Sequence, residues 1–296
     1  MIKIQDTMNK LLTIAYGWGV LLLSSCMDAS VVGADMSGMQ TPGIARFDGT
    51  IYEYLQNDDS YLGVTYDSLL YLLDYADESE NSTPLKFSEL KECLQDKMGQ
   101  YTFIAIPDSC FRCALKALNQ YRKLNKLTID GESLKDAEES EKYASGELSL
   151  EKLLYYRKNI PRYDDKKPEV IVKTDIYEYK APLDSMLCRY MASGIYDTEM
   201  LATISSDEGK IIQGLYTYRM NLTYRRLPTS GFVGSGPKDI IFYDMCNTLE
   251  KNRWEPAKVL WADIYAKNGV IHVLVPQHEF GYGQFIHYFR NLGHEE

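Results

Sequence analysis

Cysteine and histidine are the residues of this chain whose spacing could support redox or metal chemistry. Cys110 and Cys113 are two residues apart, the spacing of a redox pair or of half a zinc site. No second pair of this kind follows, and the four histidines, spaced by six, nine and seven residues, match no metal-ligand pattern. The sequence therefore predicts buried cysteines on a helix, no metal site and no cofactor. The histidines are His272, His278, His287 and His294.

The usual motifs of nucleophilic and phosphate chemistry are missing from the sequence. It contains no Gly-x-Ser-x-Gly elbow and no His-Glu-x-x-His segment. The glycine-rich segment 231–236 lacks the Lys-Ser/Thr pair of a phosphate loop and is predicted to connect two strands. Carboxylates are plentiful, yet no glycosidase pair stands out. Triad partners meet only in space, so a surface hydrolase acting on glycan or peptide stays open as the alternative to a non-enzymatic protein.

A short apolar segment near the N-terminus ends in a cysteine. Lys10 precedes an apolar run of about thirteen residues, fewer than the roughly 20 that a membrane-spanning helix needs. Residues 1–25 are therefore predicted to be a signal peptide. Leu-Ser-Ser directly before Cys26 resembles a bacterial lipobox, and we expect Cys26 to be lipidated and to anchor the chain to the outer membrane at the cell surface. An ordinary signal with an incidental Cys26 is the alternative.

Composition narrows the class of protein. The net charge is −10 without a concentrated basic patch, so nucleic-acid binding is not expected. Five cysteines follow Cys26, an odd number that does not indicate a disulfide framework. Residues 26–46 are rich in small residues and are predicted to be a flexible tether. The 24 tyrosines suit a recognition surface, although tyrosine also favours strands.

Hydrophobic periodicity predicts helices in the first half of the chain and strands in the second. A short β-rich run, 101–106, interrupts the helices, and Asp108 or Ser109 is expected to cap the helix that follows it. The charged stretch 130–147 is predicted to be solvated. Helical periodicity marks residues near 51–55, 62–73, 87–90, 111–121, 148–156 and 182–191, and strand patterns mark 170–179, 211–215, 217–224, 240–243 and 259–275.

Asn268-Gly269, between two apolar runs, predicts a tight hairpin whose two turn residues both have a positive φ. The surrounding segment, Ala262 to Val273, resembles the second signature of the fasciclin (FAS1) family. Thr102 to Phe111 is similar to the first signature, with one extra residue before the proline. Arg189 and Tyr190 stand where the family usually has a Tyr-His pair, which leaves the role of that pair open.

The resemblance implies an α+β fold: a fasciclin-like β-sandwich wedge with an N-terminal helical layer, over about 47–290. The span is longer than a usual module, and the excess at about 126–181 is predicted to be an insertion. The resemblance further implies a Bacteroidetes-type surface lipoprotein, a non-enzymatic module for adhesion or ligand binding. Its expected partners are a glycan or a surface protein, and an outer-membrane importer complex for glycans or nutrients.

Two sets of residues are candidates for ligand binding. Asp263 and Ile264 of the second signature are similar to residues that contact integrin in animal relatives, with shaping of the hairpin entrance as the alternative. Tyrosines of the insertion could form an aromatic platform, although core packing explains any single one of them better. These are Tyr155, Tyr156, Tyr163, Tyr177 and Tyr179.

Overall fold

The computed structural model describes residues 46–57, 63–75, 85–127, 147–204, 207–227 and 238–295. The predicted signal peptide, Cys26 and the tether lie outside the described residues, as does nearly all of the charged stretch 130–147. Among the described helices, none combines the length and apolar character that a bilayer crossing requires.

The described helices are short apart from one. They are α1 (Ile51–Gln56), α2 (Asp67–Leu73), α3 (Phe87–Gln95), α4 (Asp108–Leu124), α5 (Leu150–Tyr155), α6 (Lys180–Leu187), α7 (Thr198–Leu201) and α8 (Phe285–Phe289). Three 3-10 turns accompany them, at Cys188–Tyr190, Leu215–Thr217 and Lys251–Arg253. The helices that periodicity predicts in the described part of the chain are all present, with ends that differ by a few residues.

The strands form one large sheet and a separate ribbon. They are β1 (Tyr101–Ala105), β2 (Arg157–Asp164), β3 (Lys167–Glu178), β4 (Met191–Ser193), β5 (Lys210–Gln213), β6 (Arg219–Arg226), β7 (Lys238–Asp244), β8 (Glu255–Ala266) and β9 (Gly269–Leu274). The sheet order is β4-β1-β9-β8-β7-β6-β5, whereas β2 and β3 pair only with each other. Every neighbouring pair is antiparallel except β1 and β9, which are parallel.

The two end strands of the large sheet approach one another, so the sheet is nearly closed. Gly214 follows β5, and a Cβ at this position would lie 2.6 Å from the carbonyl oxygen of Cys188 and 3.3 Å from that of Met191, the first residue of β4. Glycine is needed here because any side chain would collide with the opposite end of the sheet.

The predicted hairpin joins β8 and β9, but the expected turn is wrong. Ala266 pairs with Gly269, so Lys267 and Asn268 form the loop, and none of Lys267, Asn268 and Gly269 has a positive φ. Asn268 is fully buried: its Oδ1 accepts from Ile51 N at 2.8 Å and its Nδ2 donates to the last turn of α3. Gly269 is required by space, since a Cβ would lie 2.0 Å from the Tyr101 carbonyl oxygen.

The prediction that Asp108 or Ser109 caps α4 is also wrong. Pro107 precedes α4, and no side chain caps the first turn of that helix. The Asp108 carboxylate instead accepts hydrogen bonds from Asp67 N at 3.1 Å and Ser68 N at 2.7 Å, and from the Thr65 hydroxyl, so it caps α2. Burial raises the pKa of Asp108, but these hydrogen bonds outweigh burial and lower it.

One cluster of buried apolar side chains unites the helices and the large sheet. It receives alternate residues of β6 and β7, whose other residues face away from it. The β2–β3 ribbon contributes nothing to it, and most ribbon side chains are exposed. This ribbon lies within the region predicted as an insertion. The α+β prediction is confirmed, and the finer prediction of a fasciclin-like β-sandwich wedge stays a prediction.

Candidate functional site

A groove of about 380 Å³ lies on the outer face of the large sheet, where β6, β7 and β8 run side by side. Pairing places Thr223 opposite Ile241 and Ile241 opposite Lys258, so these three side chains share one face. The inward neighbours Leu222 and Phe242 are buried in the core. We call this feature the β6–β8 groove; it is lined by Asp207, Thr223, Arg225, Ile241, Tyr243, Lys251 and Trp254.

Two aromatic rings form one wall of the β6–β8 groove. The ring centroids of Tyr243 and Trp254 are 5.8 Å apart, with planes inclined at 58°. Trp254 precedes β8, and its indole Nε1 donates to the Thr248 carbonyl oxygen at 2.9 Å, which fixes the ring. Both side chains are half-buried, so each ring keeps an accessible part.

Basic side chains border the same groove. The Lys251 Nζ lies 5.9 Å from the centroid of the Trp254 ring and donates to the Asp207 carbonyl oxygen. Arg225 Nε donates to Asp239 Oδ2 at 2.8 Å, and the Lys258 Nζ lies 3.8 Å from Asp239 Oδ1. Asp239 is buried whereas Arg225 is exposed. The buried carboxylate therefore holds two cations beside the groove.

This arrangement suits binding of a flat, partly apolar, hydroxyl-bearing ligand. The volume of the groove falls in the range of small-molecule sites, roughly 300–1,000 Å³. Aromatic faces bind apolar surface, while the basic groups and the Thr223 hydroxyl supply hydrogen bonds at its edge. Within the described ranges, no three His, Cys, Asp or Glu side chains come together in a way that could hold a metal ion.

Tyr190 and His278 form a buried pair of titratable side chains. The Tyr190 hydroxyl accepts from Gly281 N at 3.0 Å and shares a hydrogen bond of 2.8 Å with His278 Nε2, in which the histidine tautomer decides the donor. Burial raises the pKa of Tyr190 well above its usual value and lowers the pKa of His278 to about 4. Both groups are neutral at pH 7, and each holds the other in the core. Tyr190 thus serves packing in the core.

Asp263 lies in a bulge of β8 opposite His272. It has a φ of 61°, rare for a residue with a side chain, and its backbone N donates to His272 Nδ1 at 3.3 Å. His272 is fully buried and its Nε2 lies 3.0 Å from the Tyr196 carbonyl oxygen, so the neutral ring carries its proton on Nε2. His272 is therefore a packed, hydrogen-bonded side chain of the sheet interior.

The Asp263 carboxylate joins three elements. It accepts from Thr198 N at 2.8 Å, from the Thr198 hydroxyl and from Lys238 Nζ at 3.0 Å. Burial raises its pKa, but these partners outweigh burial and lower it. Its neighbour Ile264 is 3% exposed and belongs to the core. Neither residue lines the β6–β8 groove, and Ile264 offers no surface for a contact.

The tyrosines predicted as a platform differ in exposure and in their partners. Tyr155 is 63% exposed and lies 5.5 Å from the Tyr75 ring, whereas Tyr163 is exposed on the β2–β3 ribbon. Tyr177 lies on the same ribbon, paired with Lys158. Tyr156 and Tyr179 are half-buried, as described next. A binding role for these tyrosines stays a prediction.

The base of the β2–β3 ribbon is fastened to the C-terminal segment by Glu295. Its carboxylate accepts from the Tyr156 hydroxyl at 2.9 Å and from the Tyr179 hydroxyl at 2.5 Å. Lys158 Nζ lies 3.3 Å from the same carboxylate and donates to the Gly293 carbonyl oxygen at 2.9 Å. We call these four residues, Glu295, Tyr156, Tyr179 and Lys158, the ribbon clasp. Their polar groups are engaged with one another.

The cysteines of the described residues are all free thiols. Cys110 is buried on α4 and Cys113 is half-buried, with sulfur atoms 3.5 Å from the Val275 carbonyl oxygen and 3.8 Å from the Pro276 carbonyl oxygen. Burial raises the pKa of the Cys110 thiol to about 12, so it is protonated and unreactive at pH 7. The prediction of helix-borne, buried cysteines holds fully for Cys110 and partly for Cys113.

Sequence reasoning missed the β6–β8 groove. The alternation in 217–224 and 240–243 marks outward residues, but only pairing of β6 with β7 shows that Thr223 and Ile241 are neighbours. Trp254 precedes a strand and carries no period of its own. The signal available in the sequence was that Trp254 is aromatic and lies close along the chain to Tyr243, an aromatic residue at an outward position of β7.

Comparison with known proteins gives little beyond the geometry. No family model matches the chain, and no curated protein matches it. Among solved structures it is similar to a FAS1 domain pair from the insect cell adhesion molecule fasciclin I, at 12% identity and a TM-score of 0.41. The match covers 80% of this chain and 52% of that one, so this chain spans about half of the domain pair. At this identity and TM-score, the likeness does not establish the family.

Proposed function

We propose that this chain is a non-enzymatic, fasciclin-like binding module that holds a glycan in the β6–β8 groove at the cell surface. The observation that carries the proposal is the wall of Tyr243 and Trp254 beside exposed basic groups. A sugar ring has an apolar C–H face and a rim of hydroxyls, and the groove offers an aromatic face with hydrogen-bond donors at its edge. The buried, neutral state of Tyr190 and His278 supports binding rather than acid–base catalysis by that pair.

The test is affinity electrophoresis of the full chain, purified in detergent, through gels that contain dextran, galactan, xylan, mannan or polygalacturonate. We expect at least one polymer to retard the wild-type protein. Trp254→Ala removes the larger ring of the wall and should abolish most of this retardation, because stacking on one ring supplies a large share of such binding energy.

Tyr155→Ala is the matched control, since Tyr155 is an exposed aromatic residue outside the groove. It also tests the alternative platform. Retardation lost in Tyr155→Ala and kept in Trp254→Ala would transfer the binding site to the insertion tyrosines, and no retardation by any polymer would refute glycan binding.

We propose that a lipid on Cys26 holds the module at the outer membrane. The support is the sequence Leu-Ser-Ser-Cys after a short apolar run. Metabolic labelling with a fatty-acid analogue should mark the wild-type chain, and Cys26→Ser should remove both the label and sedimentation with membranes. Labelling that persists in Cys26→Ser would contradict the anchor.

We propose further that the anchored module serves an outer-membrane complex that imports glycans or nutrients. A surface-anchored glycan-binding site would raise the local concentration of polymer at such an importer. Native complexes purified from solubilised outer membranes should contain an importer with the wild-type chain and lack it with Cys26→Ser. Recovery of the wild-type chain alone, after gentle solubilisation, would oppose this role.

A further inference from the structure

The β6–β8 groove is basic although the whole chain is acidic. The net charge of the chain is −10, yet Arg225, Lys251 and Lys258 border this one groove. Among the described residues that line the groove, Arg225 and Lys251 are basic and Asp207 is acidic, while the Asp239 carboxylate behind Arg225 is buried. A locally cationic site favours negative charge in its ligand, because opposite charges attract.

Arg225 is placed to recognise a planar anion. Its Nε donates a hydrogen bond to Asp239 Oδ2 at 2.8 Å, and this hydrogen bond orients the guanidinium plane. The side chain is 61% exposed, and its Nη atoms make no hydrogen bond to any residue in the described ranges. The two Nη atoms form a fork that matches the two oxygens of a carboxylate.

Lys258 supplies a second cation next to this fork. Its Nζ lies 3.8 Å from Asp239 Oδ1, beyond hydrogen-bond distance, and its side chain is 59% exposed. Because Lys258 pairs with Ile241, its side chain lies on the face that carries the groove. The ammonium can therefore turn towards an anion held by Arg225.

We infer that the glycan of the β6–β8 groove is acidic, and that Arg225 and Lys258 bind the carboxylate of a uronic acid while its ring stacks on Tyr243 or Trp254. This inference rests on the proposed glycan binding and names its ligand class. The two cations favour a polymer residue that carries a carboxylate, and the aromatic wall favours a sugar ring over a simple anion.

The experiment measures the affinity of the full chain, in detergent, for oligogalacturonate, for neutral galacto-oligosaccharide and for dextran sulfate. We expect oligogalacturonate to bind at least about ten-fold more tightly than the neutral ligand, and to weaken as salt rises. Arg225→Gln should remove about ten-fold or more of this affinity. Arg225→Lys keeps the charge beside Asp239 but loses the fork, so it should show a similar loss in a folded protein.

Arg253→Gln is the matched control, because Arg253 is an exposed arginine one residue before Trp254 whose partner is Glu250. It should bind oligogalacturonate like the wild type. Equal affinity for acidic and neutral ligands, still dependent on Trp254, would overturn this inference and leave the proposed function standing. Tighter binding of dextran sulfate than of oligogalacturonate would overturn the inference of a carboxylate ligand in favour of a sulfate. Binding of none of the three ligands would overturn both this inference and the proposed function.

Discussion

Asn268 shows at the residue scale how one side chain can fix several elements. Its amide satisfies the first backbone N–H of α1 and carbonyl groups at the end of α3, Cys93 at 3.2 Å and Leu94 at 2.9 Å. Its own carbonyl oxygen accepts from Tyr101 N, the start of β1, at 3.0 Å. A turn residue thus also serves as a buried connector.

We expect Asn268→Ala to lower the free energy of unfolding by about 2–4 kcal/mol, because it leaves buried backbone groups without partners. Chemical denaturation measures the change. Lys267→Ala, in the same loop, is the control and should leave the free energy of unfolding nearly unchanged, since the Lys267 side chain contacts Asp48 at the exposed surface. Equal effects of the two substitutions would mean that the amide contacts do not matter.

His278 makes the stability of the protein depend on pH. Burial lowers its pKa to about 4 from 6.5, so as the pH falls the unfolded chain takes up this proton first. The contribution of His278 to the free energy of unfolding is therefore fully present above about pH 6.5. It falls by about 3 kcal/mol as the pH is lowered towards 4. His272, whose pKa burial also lowers, acts in the same direction.

His278→Gln removes one titrating group while keeping an acceptor for the Tyr190 hydroxyl. We expect its unfolding free energy to fall less steeply than that of the wild type between pH 6.5 and 4. Denaturant titrations at several pH values provide the measurement, and His287→Gln, at an exposed position of α8, is the control. Parallel pH profiles for His278→Gln and the wild type would contradict the assignment.

The β2–β3 ribbon illustrates the element scale. A two-stranded ribbon is only marginally stable alone in water, and this one buries no residue in the core. The ribbon clasp therefore holds its base. Hydrogen bonds from Tyr179 and Tyr156 outweigh burial, which acts in the opposite direction, and lower the pKa of Glu295.

We expect Glu295→Ala to speed hydrogen exchange at the ribbon base, near 156–158 and 177–179, while exchange in β8 and β9 stays unchanged. The clasp loses its only carboxylate, and local opening of the ribbon becomes easier. Hydrogen–deuterium exchange with mass spectrometry resolves these segments. Asp175→Asn, in an exposed ion pair with Arg162, is the control, and a uniform change across the chain would argue against a local clasp.

Elements could be predicted from the sequence more fully than their contacts. Period-two and helical patterns predicted β6 and α4 because one side of each element faces the core. β9 is buried throughout, and the apolar run after Asn268-Gly269 predicted it instead. Asp108 and Asn268 were assigned local roles, whereas their partners are distant in sequence and depend on tertiary packing. The β6–β8 groove needs the pairing of strands separated by loops, and no periodicity carries that information.

At the scale of the whole molecule, the near-closure of the sheet depends on Gly214. We expect Gly214→Ala to lower the free energy of unfolding by about 1–3 kcal/mol. The alanine Cβ would lie too close to the Cys188 carbonyl oxygen, and a backbone atom cannot rotate away as a side chain can. Thermal or chemical denaturation measures the loss. Gly63→Asn is the control because Gly63, with a φ of 62°, has open space around it and asparagine tolerates that backbone.

The parallel pairing of β1 with β9 has a consequence for the order in which the protein forms. β1 lies between β4 and β9, and of the described strands β9 is the last in chain order. A polypeptide that emerges N-terminus first cannot complete the pairing of β1 until β9 has left the ribosome. Until then the apolar faces of the helices that precede β9 stay exposed to solvent. The nascent chain is therefore expected to bind a chaperone that prevents aggregation.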